Sequence, residues 1–257
     1  MDSGVGGLSV LREIHRLLPA YPTLYFADQG HLPYGPRPAQ EILLFTENIV
    51  RFLLQHGAGM IVIACHTASA PSLHVLRAQY PRIPIVGIEP AVKPAAEATQ
   101  SGVIGVLTTQ GTANGTLYQS VLERFAKNVR VMTYIAPELV TMVEEQTQHT
   151  AQGRALLRRA VQPMLEAGAD QIALACTHFP FLVDELQAIV GPGVRLIDPG
   201  PAVARQTARV LPAALRPNPA PNAYYTSGDP QKLQHMLRAL IGVEAQAQQA
   251  LVPSRLS

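Results

Sequence analysis

The chain has 257 residues, of which 47% are hydrophobic and 15% charged, and its formal net charge is +2. This length allows a large core in one large domain or two medium domains. The charge balance argues against the basic surface typical of nucleic-acid-binding proteins. No apolar stretch approaches the roughly 18 uninterrupted residues of a membrane span, and the start lacks a signal-peptide pattern. We therefore expect a soluble, cytoplasmic protein without nucleic-acid or membrane partners.

Short apolar runs alternate with helical patterns along the chain, which predicts an α/β protein with a parallel sheet. The predicted strands are, in chain order, Thr23–Ala27, Met60–Ala64, Ile85–Ile88, Val103–Leu107, Val131–Tyr134, Ile172–Ala175, Arg195–Ile197 and Ala223–Thr226. Apolar residues at helical spacing predict helices over Leu8–Leu18 and Glu41–Gln55. We expect Pro71, Pro94 and Pro180 near helix starts, where a missing N–H is harmless.

Both cysteines of the chain occupy the same sequence context. Cys65 and Cys176 each end an apolar run, with Ala before them and Thr just after. Parallel α/β sheets bind ligands beyond the carboxyl ends of their strands, so the two thiols are expected at one site. Moving a proton from one face of a carbon to the other needs an acid/base group on each face, which two thiols can supply. Racemisation or epimerisation in a cleft between two similar α/β halves is the first hypothesis.

Other interpretations of the cysteines stay open at this point. A cysteine at a strand end is more often a small buried hydrophobic residue than a catalyst. A disulfide is disfavoured, because two cysteines without a secretory signal indicate a reducing compartment. A zinc site is conceivable, but adjacent side chains diverge and the usual ligand spacing is missing, so we expect no metal site. Its ligands would be Cys65, His66, Cys176 and His178.

Four further segments place polar groups near predicted strand ends. They are Asp2–Leu8, Asp28 with Pro33-Tyr34-Gly35, Thr108–Thr112 and Cys176-Thr177-His178. The first is a glycine-rich loop that leads into a helix, so its backbone N–H groups could receive a carboxylate. Ordinary turn chemistry explains each segment by itself. Together they are typical of a ligand site in an α/β protein.

An ordered set of short motifs resembles the landmarks of the glutamate racemase family. The motifs are Asp2-Ser3-Gly-Val-Gly-Gly-Leu8, Asp28 with Pro33-Tyr34-Gly35, Ala64-Cys65-x-Thr67-Ala-Ser69, Gly87-Ile-Glu-Pro90, Cys176-Thr177-His178-x-Pro180 and Tyr225-Thr-Ser-Gly-Asp229, where x is any residue. They span nearly the whole chain and separate it from looser relatives such as aspartate or hydantoin racemases. The resemblance implies an isomerase that interconverts L- and D-glutamate without a cofactor. It would supply D-glutamate for peptidoglycan synthesis, and thus for the cell wall and cell shape.

The resemblance also implies the domain organisation. It predicts two similar parallel-sheet α/β domains of the aspartate/glutamate racemase type, with the active site in the cleft between them. The first domain would comprise residues 1–91 and 203–257, and the second residues 92–202. The family further implies a homodimer.

Residue roles follow from the resemblance by position. Cys65 corresponds to the base that takes the α-proton from D-glutamate, and Cys176 to the base that takes it from L-glutamate. Asp2 and His178 correspond to their helpers; a free thiol has a pKa near 8.5, and a neighbouring imidazole raises its thiolate fraction. Substrate-binding positions would be Asp2, Ser3, Pro33, Tyr34, Gly35, His66, Thr67, Thr109, Thr112, Thr177 and His178. Asp28 and Glu144 match auxiliary acidic positions, although Glu144 on a helix would otherwise be interpreted as a solvated residue.

Two features depart from the family pattern. His66 stands where the family usually has Asn, and it could activate Cys65 further, narrow the pocket or change the preferred amino acid. The family has a strand before Asp-Ser-Gly, where this chain has only Met1. We expect either a start upstream or a gap whose buried unpaired backbone groups cost roughly 1–3 kcal/mol each. The alternatives are therefore a racemase of aspartate or another acidic amino acid, and a binding homologue that has lost turnover.

Overall fold

The computed structural model describes residues 1–252 and divides the chain into two compact units. The first unit comprises Met1–Ile88 together with the C-terminal segment from Gly200, and the second comprises Glu89–Pro199. All strand pairings within the described residues are parallel. The predicted α/β class with parallel sheets is therefore confirmed.

Nine strands and eleven α-helices make up the two units over residues 1–252. The strands are β1 (Leu24–Ala27), β2 (Ile61–Ile63), β3 (Ile85–Gly87), β4 (Val103–Thr108), β5 (Arg130–Ile135), β6 (Gln171–Ala175), β7 (Arg195–Ile197), β8 (Ala223–Thr226) and β9 (Ala247–Gln249). The helices are α1 (Leu8–Leu17), α2 (Ala39–Gln55), α3 (His66–Gln79), α4 (Val92–Ala98), α5 (Gln110–Ala113), α6 (Thr116–Phe125), α7 (Pro137–Glu145), α8 (Ala151–Glu166), α9 (Val183–Val190), α10 (Gly200–Arg209) and α11 (Pro230–Ile241). Within residues 1–252, every helix is too short or too polar to serve as a transmembrane segment.

The eight predicted strands all coincide with observed strands, and two differences concern other elements. Strand β9 was not predicted, because its sequence Ala-Gln-Gln carries no apolar run. Pro71 lies in the interior of α3, not near its start, because the helix already begins at His66. Helix α3 starts there because the Cys65 side chain caps it. The expectation for Pro71 is therefore wrong, and the helix lacks one interior N–H donor.

Met1 and Asp2 lie between two small sheets of the first unit. One sheet has the order β1-β8-β9, and the other pairs β2 with β3. Asp2 forms an isolated parallel bridge with Ala27 of β1. On its other side, the Met1 amino group donates to the Val62 carbonyl at 2.8 Å, and the Met1 carbonyl accepts from Ala64 N–H at 2.9 Å. This dipeptide therefore links the two sheets and brings Asp2 to the carboxyl ends of β1 and β2.

A cavity of about 370 Å³ extends from Met1 toward the amino-terminal ends of β1 and β2. Its lining includes Met1, Val10, Ile14, Leu24, Val62 and Leu215. The Met1 amino group beside it is buried, and this burial lowers its pKa to about 6. The first unit thus contains an open space near the amino-terminal ends of β1 and β2.

The sheet of the second unit has the order β5-β4-β6-β7. All five residues of β6 are buried, as expected for a parallel strand covered on both faces. The register pairs Thr108 with Ala175 at the carboxyl ends of β4 and β6. Residues that directly follow these two strands are therefore neighbours at one edge of the sheet.

Candidate active site

The first thiol lies where β2 passes into α3. Cys65 lies two residues beyond the end of β2, is buried, and accepts a hydrogen bond on Sγ from Ala68 N–H at 3.4 Å. Its Sγ lies 3.6 Å from Ser3 Oγ. A helix N-terminus and its backbone N–H groups stabilise negative charge on sulfur. This position suits a thiol that alternates between its neutral and ionised forms.

The glycine-rich loop carries Asp2 next to Ser3, whose Oγ lies 3.6 Å from the Cys65 sulfur. Asp2 is fully buried, and its Oδ2 accepts from Gly4 N–H at 3.0 Å. At Gly7, an added Cβ would lie 2.5 Å from Asp2 Cβ, so only glycine allows this approach. The protein's own carboxylate thus occupies the Gly4 N–H, and the expectation that N–H groups of this loop receive a ligand carboxylate stays a prediction.

A buried tyrosine follows β1 in the same unit. Tyr34 Oη donates to Asp28 Oδ2 at 2.5 Å, and both side chains are buried. Burial is the main reason that the pKa of Tyr34 is raised well above its ordinary value, and Asp28 is the second. Cys65 and Asp2 add smaller effects in the same direction. Tyr34 is therefore protonated at neutral pH.

The other predicted residues of the first unit flank these groups. His66 and Thr67 are buried in the first turn of α3, directly after Cys65. Pro33 follows a cis peptide bond and is exposed, and Gly35 is half-buried beside Tyr34. The first unit thus brings Asp2, Ser3, Asp28, Tyr34, Cys65, His66 and Thr67 to one edge.

The second thiol belongs to a buried three-residue chain in the other unit. Cys176 directly follows β6, and its Sγ lies 3.7 Å from His178 Nδ1. His178 Nε2 lies 2.9 Å from Glu144 Oε1 on α7. His178 and Glu144 are 2% and 5% exposed. The interpretation of Glu144 as a solvated helix residue is therefore wrong, because this face of α7 packs against the residues after β6.

The electrostatics of this chain favour a protonated imidazole. Burial by itself lowers the pKa of His178, but hydrogen bonds and charges from Cys176 and Glu144 outweigh it and raise that pKa to about 10. An imidazolium at neutral pH stabilises negative charge on a neighbouring sulfur. The imidazole therefore faces the Cys176 sulfur with one ring nitrogen, while Glu144 fixes the orientation of the ring through the other.

Three threonines complete the edge of the second unit. Thr109 follows β4 and donates from Oγ1 to Thr112 Oγ1 at 3.2 Å. Thr177 follows Cys176, and all three threonines are buried. The register pairs Thr108 with Ala175, so Thr109 and Cys176 follow neighbouring strands at the same edge of the sheet.

Two residues near the site were missed by the sequence analysis. Ser227 Oγ donates to Asp28 Oδ1 at 2.6 Å, and His31 Nδ1 lies 2.8 Å from the same oxygen. The signal for Ser227 was present in the motif Tyr225-Thr-Ser-Gly-Asp229, to which no role was assigned. His31 had no signal beyond its proximity to Asp28. Within residues 1–252, no three His, Cys, Asp or Glu side chains are placed to hold a metal ion, and both cysteines are free thiols.

Comparison with known proteins identifies the family. The sequence model of the Asp/Glu/Hydantoin racemase family matches residues 3–207. The glutamate racemase of Ectopseudomonas mendocina is 48% identical over 249 residues, which are 95% of this chain and 94% of that protein. The chain belongs to the glutamate racemase family. The family enzyme of Pseudomonas aeruginosa is 46% identical over 244 residues, or 94% of this chain and 92% of that protein.

Solved structures of the glutamate racemase family have the same fold. The crystal structure of Escherichia coli glutamate racemase, in complex with L-glutamate and the activator UDP-MurNAc-Ala, has a TM-score of 0.89. It is 33% identical, and the match covers 98% of this chain and 97% of that chain. A Bacillus anthracis glutamate racemase has a TM-score of 0.88 at 31% identity, covering 98% and 96%. The family resemblance that the motifs indicated is therefore confirmed.

Proposed function

We propose that the protein interconverts L- and D-glutamate and supplies D-glutamate for peptidoglycan synthesis. Membership in the glutamate racemase family supports this function, as does the L-glutamate bound to the Escherichia coli relative. The observation that carries the proposal is a pair of buried strand-end thiols, Cys65 and Cys176, each with its own polar partners. Neither thiol forms a disulfide, so both can exchange protons.

The proposed reaction is two proton transfers at one carbon. The Cys176 thiolate removes the α-proton from L-glutamate, so the C–H bond breaks as an S–H bond forms. The electron pair moves toward the α-carboxylate. The Cys65 thiol then donates its proton to the opposite face of the α-carbon, which yields D-glutamate and a Cys65 thiolate. The reverse sequence converts D- to L-glutamate, and no oxidation or reduction occurs.

The surrounding groups have distinct proposed roles. His178, held by Glu144, stabilises the Cys176 thiolate. The N-terminus of α3 stabilises the Cys65 thiolate, and Asp2 moves protons to and from Cys65. No cofactor takes part in the proposed chemistry, because both transfers use the thiols alone. The proposed substrate contacts are Asp2, Ser3, Pro33, Tyr34, Gly35, His66, Thr67, Thr109, Thr112, Thr177 and His178. Asp28 has an auxiliary role, because it orients the hydroxyl group of Tyr34.

Assembly and location complete the proposal. The protein is proposed to act as a homodimer in the cytoplasm, where small-molecule precursors of the cell wall are made. Light scattering at micromolar concentration tests the assembly, and a monomer would contradict it.

The function is tested by giving the purified protein single enantiomers of glutamate and aspartate. Chiral chromatography should detect D-glutamate formed from L-glutamate, and the final mixture should be racemic because the two enantiomers have equal free energy. Aspartate should react at least tenfold more slowly. Faster turnover of aspartate would contradict the substrate, and no turnover of either would contradict the enzyme. Exhaustive chelation serves as the control and should leave the rate unchanged.

A further inference from the structure

Ser227 connects the C-terminal segment to the loop that follows β1. It lies directly after β8, and its backbone N–H donates to the Ala27 carbonyl at 3.2 Å. Its Oγ donates to Asp28 Oδ1 at 2.6 Å and accepts from Gly30 N–H at 2.9 Å. An added Cβ at Gly30 would lie 3.0 Å from the Ser227 carbonyl oxygen, so the two turns are in close contact. One hydroxyl group therefore joins two turns that are nearly 200 residues apart in sequence.

The carboxylate of Asp28 transmits this contact to Tyr34. Ser227 bonds to Oδ1, whereas Tyr34 bonds to Oδ2 at 2.5 Å. His31 Nδ1 lies 2.8 Å from Oδ1 and 3.0 Å from Oδ2. Asp28 is fully buried, so no bulk water replaces a lost donor. The rotation of the carboxylate is consequently fixed by donors on both oxygens.

Tyr34 in turn fixes the loop Pro33–Gly35. The Tyr34 ring packs against the Phe45 ring, with centroids 5.8 Å apart. The His31 ring stacks on the Phe45 ring at 4.0 Å. The hydroxyl end is held by Asp28, so both ends of the side chain are restrained. A restrained side chain also restrains its own backbone, which is the part of the loop available to a ligand.

We propose that Ser227 is a positioning residue of the active site: through Asp28 it holds Tyr34 and the loop Pro33–Gly35 in the conformation that binds glutamate. The inference rests on the proposed function, because it assigns these loop residues to the glutamate site. Ser227 takes no part in proton transfer. Its role is to pre-organise a binding surface, so its loss weakens substrate binding more than the chemical step.

Replacement of Ser227 tests this role through the separate kinetic constants. Ser227→Ala should raise KM for glutamate about tenfold, the scale of one lost hydrogen bond to a charged group, and change kcat less than about threefold. Ser227→Thr keeps the hydroxyl group and should restore most of the loss. Ser120→Ala, on α6 of the other unit, is the matched control and should leave both constants unchanged. A fall in kcat with KM unchanged would overturn the proposal.

A double-mutant cycle tests whether the effect passes through Tyr34. Tyr34→Phe removes the hydroxyl group that Asp28 orients. In the Tyr34→Phe variant, Ser227→Ala should raise KM by less than about twofold, because the hydrogen bond between Tyr34 and Asp28 is already lost. An undiminished tenfold rise would overturn the proposed connection. If Ser227→Ala does not fold, Asp28→Asn replaces it in the cycle with the same expectations.

A readout independent of activity separates this inference from the proposed function. The Tyr34 signal in protein labelled with ¹³Cζ-tyrosine can be assigned by its disappearance in Tyr34→Phe. Ser227→Ala should shift that signal, whereas Ser120→Ala should not. An unshifted signal would overturn the connection between Ser227 and Tyr34. If Ser227→Ala shifts the Tyr34 signal but the parent protein does not racemise glutamate, the connection between Ser227 and Tyr34 stands and the proposed function is contradicted.

Discussion

The side chains of His178 and Glu144 form a buried pair in which Nε2 and Oε1 lie 2.9 Å apart. This pair leaves the other ring nitrogen facing Cys176. The carboxylate therefore does more than balance a charge: it fixes which edge of the imidazole the sulfur meets. A buried charge pair that loses one member leaves the other uncompensated, so each residue depends on the other.

Glu144→Gln keeps the shape of the side chain but removes its charge. The imidazolium loses a charge-assisted hydrogen bond, worth about 1.5–3 kcal/mol, so kcat/KM should fall about tenfold or more. The fall should be equal for L- and D-glutamate, because the equilibrium constant between enantiomers is one. Circular dichroism of the glutamate solution measures both directions. Exposed Glu145→Gln, the neighbouring residue, is the control, and an equal loss there would contradict this role of Glu144.

The raised pKa of His178 also predicts how stability depends on pH. The folded protein keeps a proton on His178 up to about pH 10, whereas the unfolded chain releases it near 6.5. This contribution is fully present below about pH 6.5 and is lost as pH rises toward 10. Urea unfolding should therefore show the stability advantage of the parent over His178→Asn shrinking across that range. The control variant His235→Asn, at an exposed position, should show no such trend; a constant advantage would contradict the shift.

Because a cavity lies beside Met1, we expect apolar residues added before Met1 to stabilise the folded protein. Asp2 N–H donates to the Phe26 carbonyl and the Met1 amino group to the Val62 carbonyl, so these residues of β1 and β2 face the space between the two strands. A variant with Val-Ile-Val-Ile added before Met1 should fill this apolar space, pair with both strands and replace the buried amino group by an amide. Its melting temperature should rise by about 2–4 °C for each kcal/mol that the extension adds to the free energy of unfolding. Addition of Gly-Ser-Gly-Ser is the control, and an equal rise there would contradict the explanation.

The strands were predictable because buried parallel strands appear as continuous apolar runs, as in Ile172–Ala175. The two thiols were predictable for the same reason, since each directly ends such a run. The residues that contact the thiols and the other site residues could not be predicted from the sequence. Glu144 could be placed on a helix, but which face of α7 is buried depends on packing against the residues after β6. The contact of Ser227 with Asp28 depends on the pairing of β8 with β1, which no local pattern specifies.

Each thiol is proposed to serve one enantiomer, and solvent exchange in variants that keep a single cysteine separates the two roles. In deuterium oxide, Cys65→Ala should lose racemisation by about 10²–10⁴-fold or more yet still exchange the α-proton of L-glutamate, because Cys176 can remove and return it on one face. Cys176→Ala should do the reverse and exchange only D-glutamate. NMR of the α-proton measures both. If either variant racemises glutamate within about tenfold of the parent, the two-thiol mechanism is contradicted.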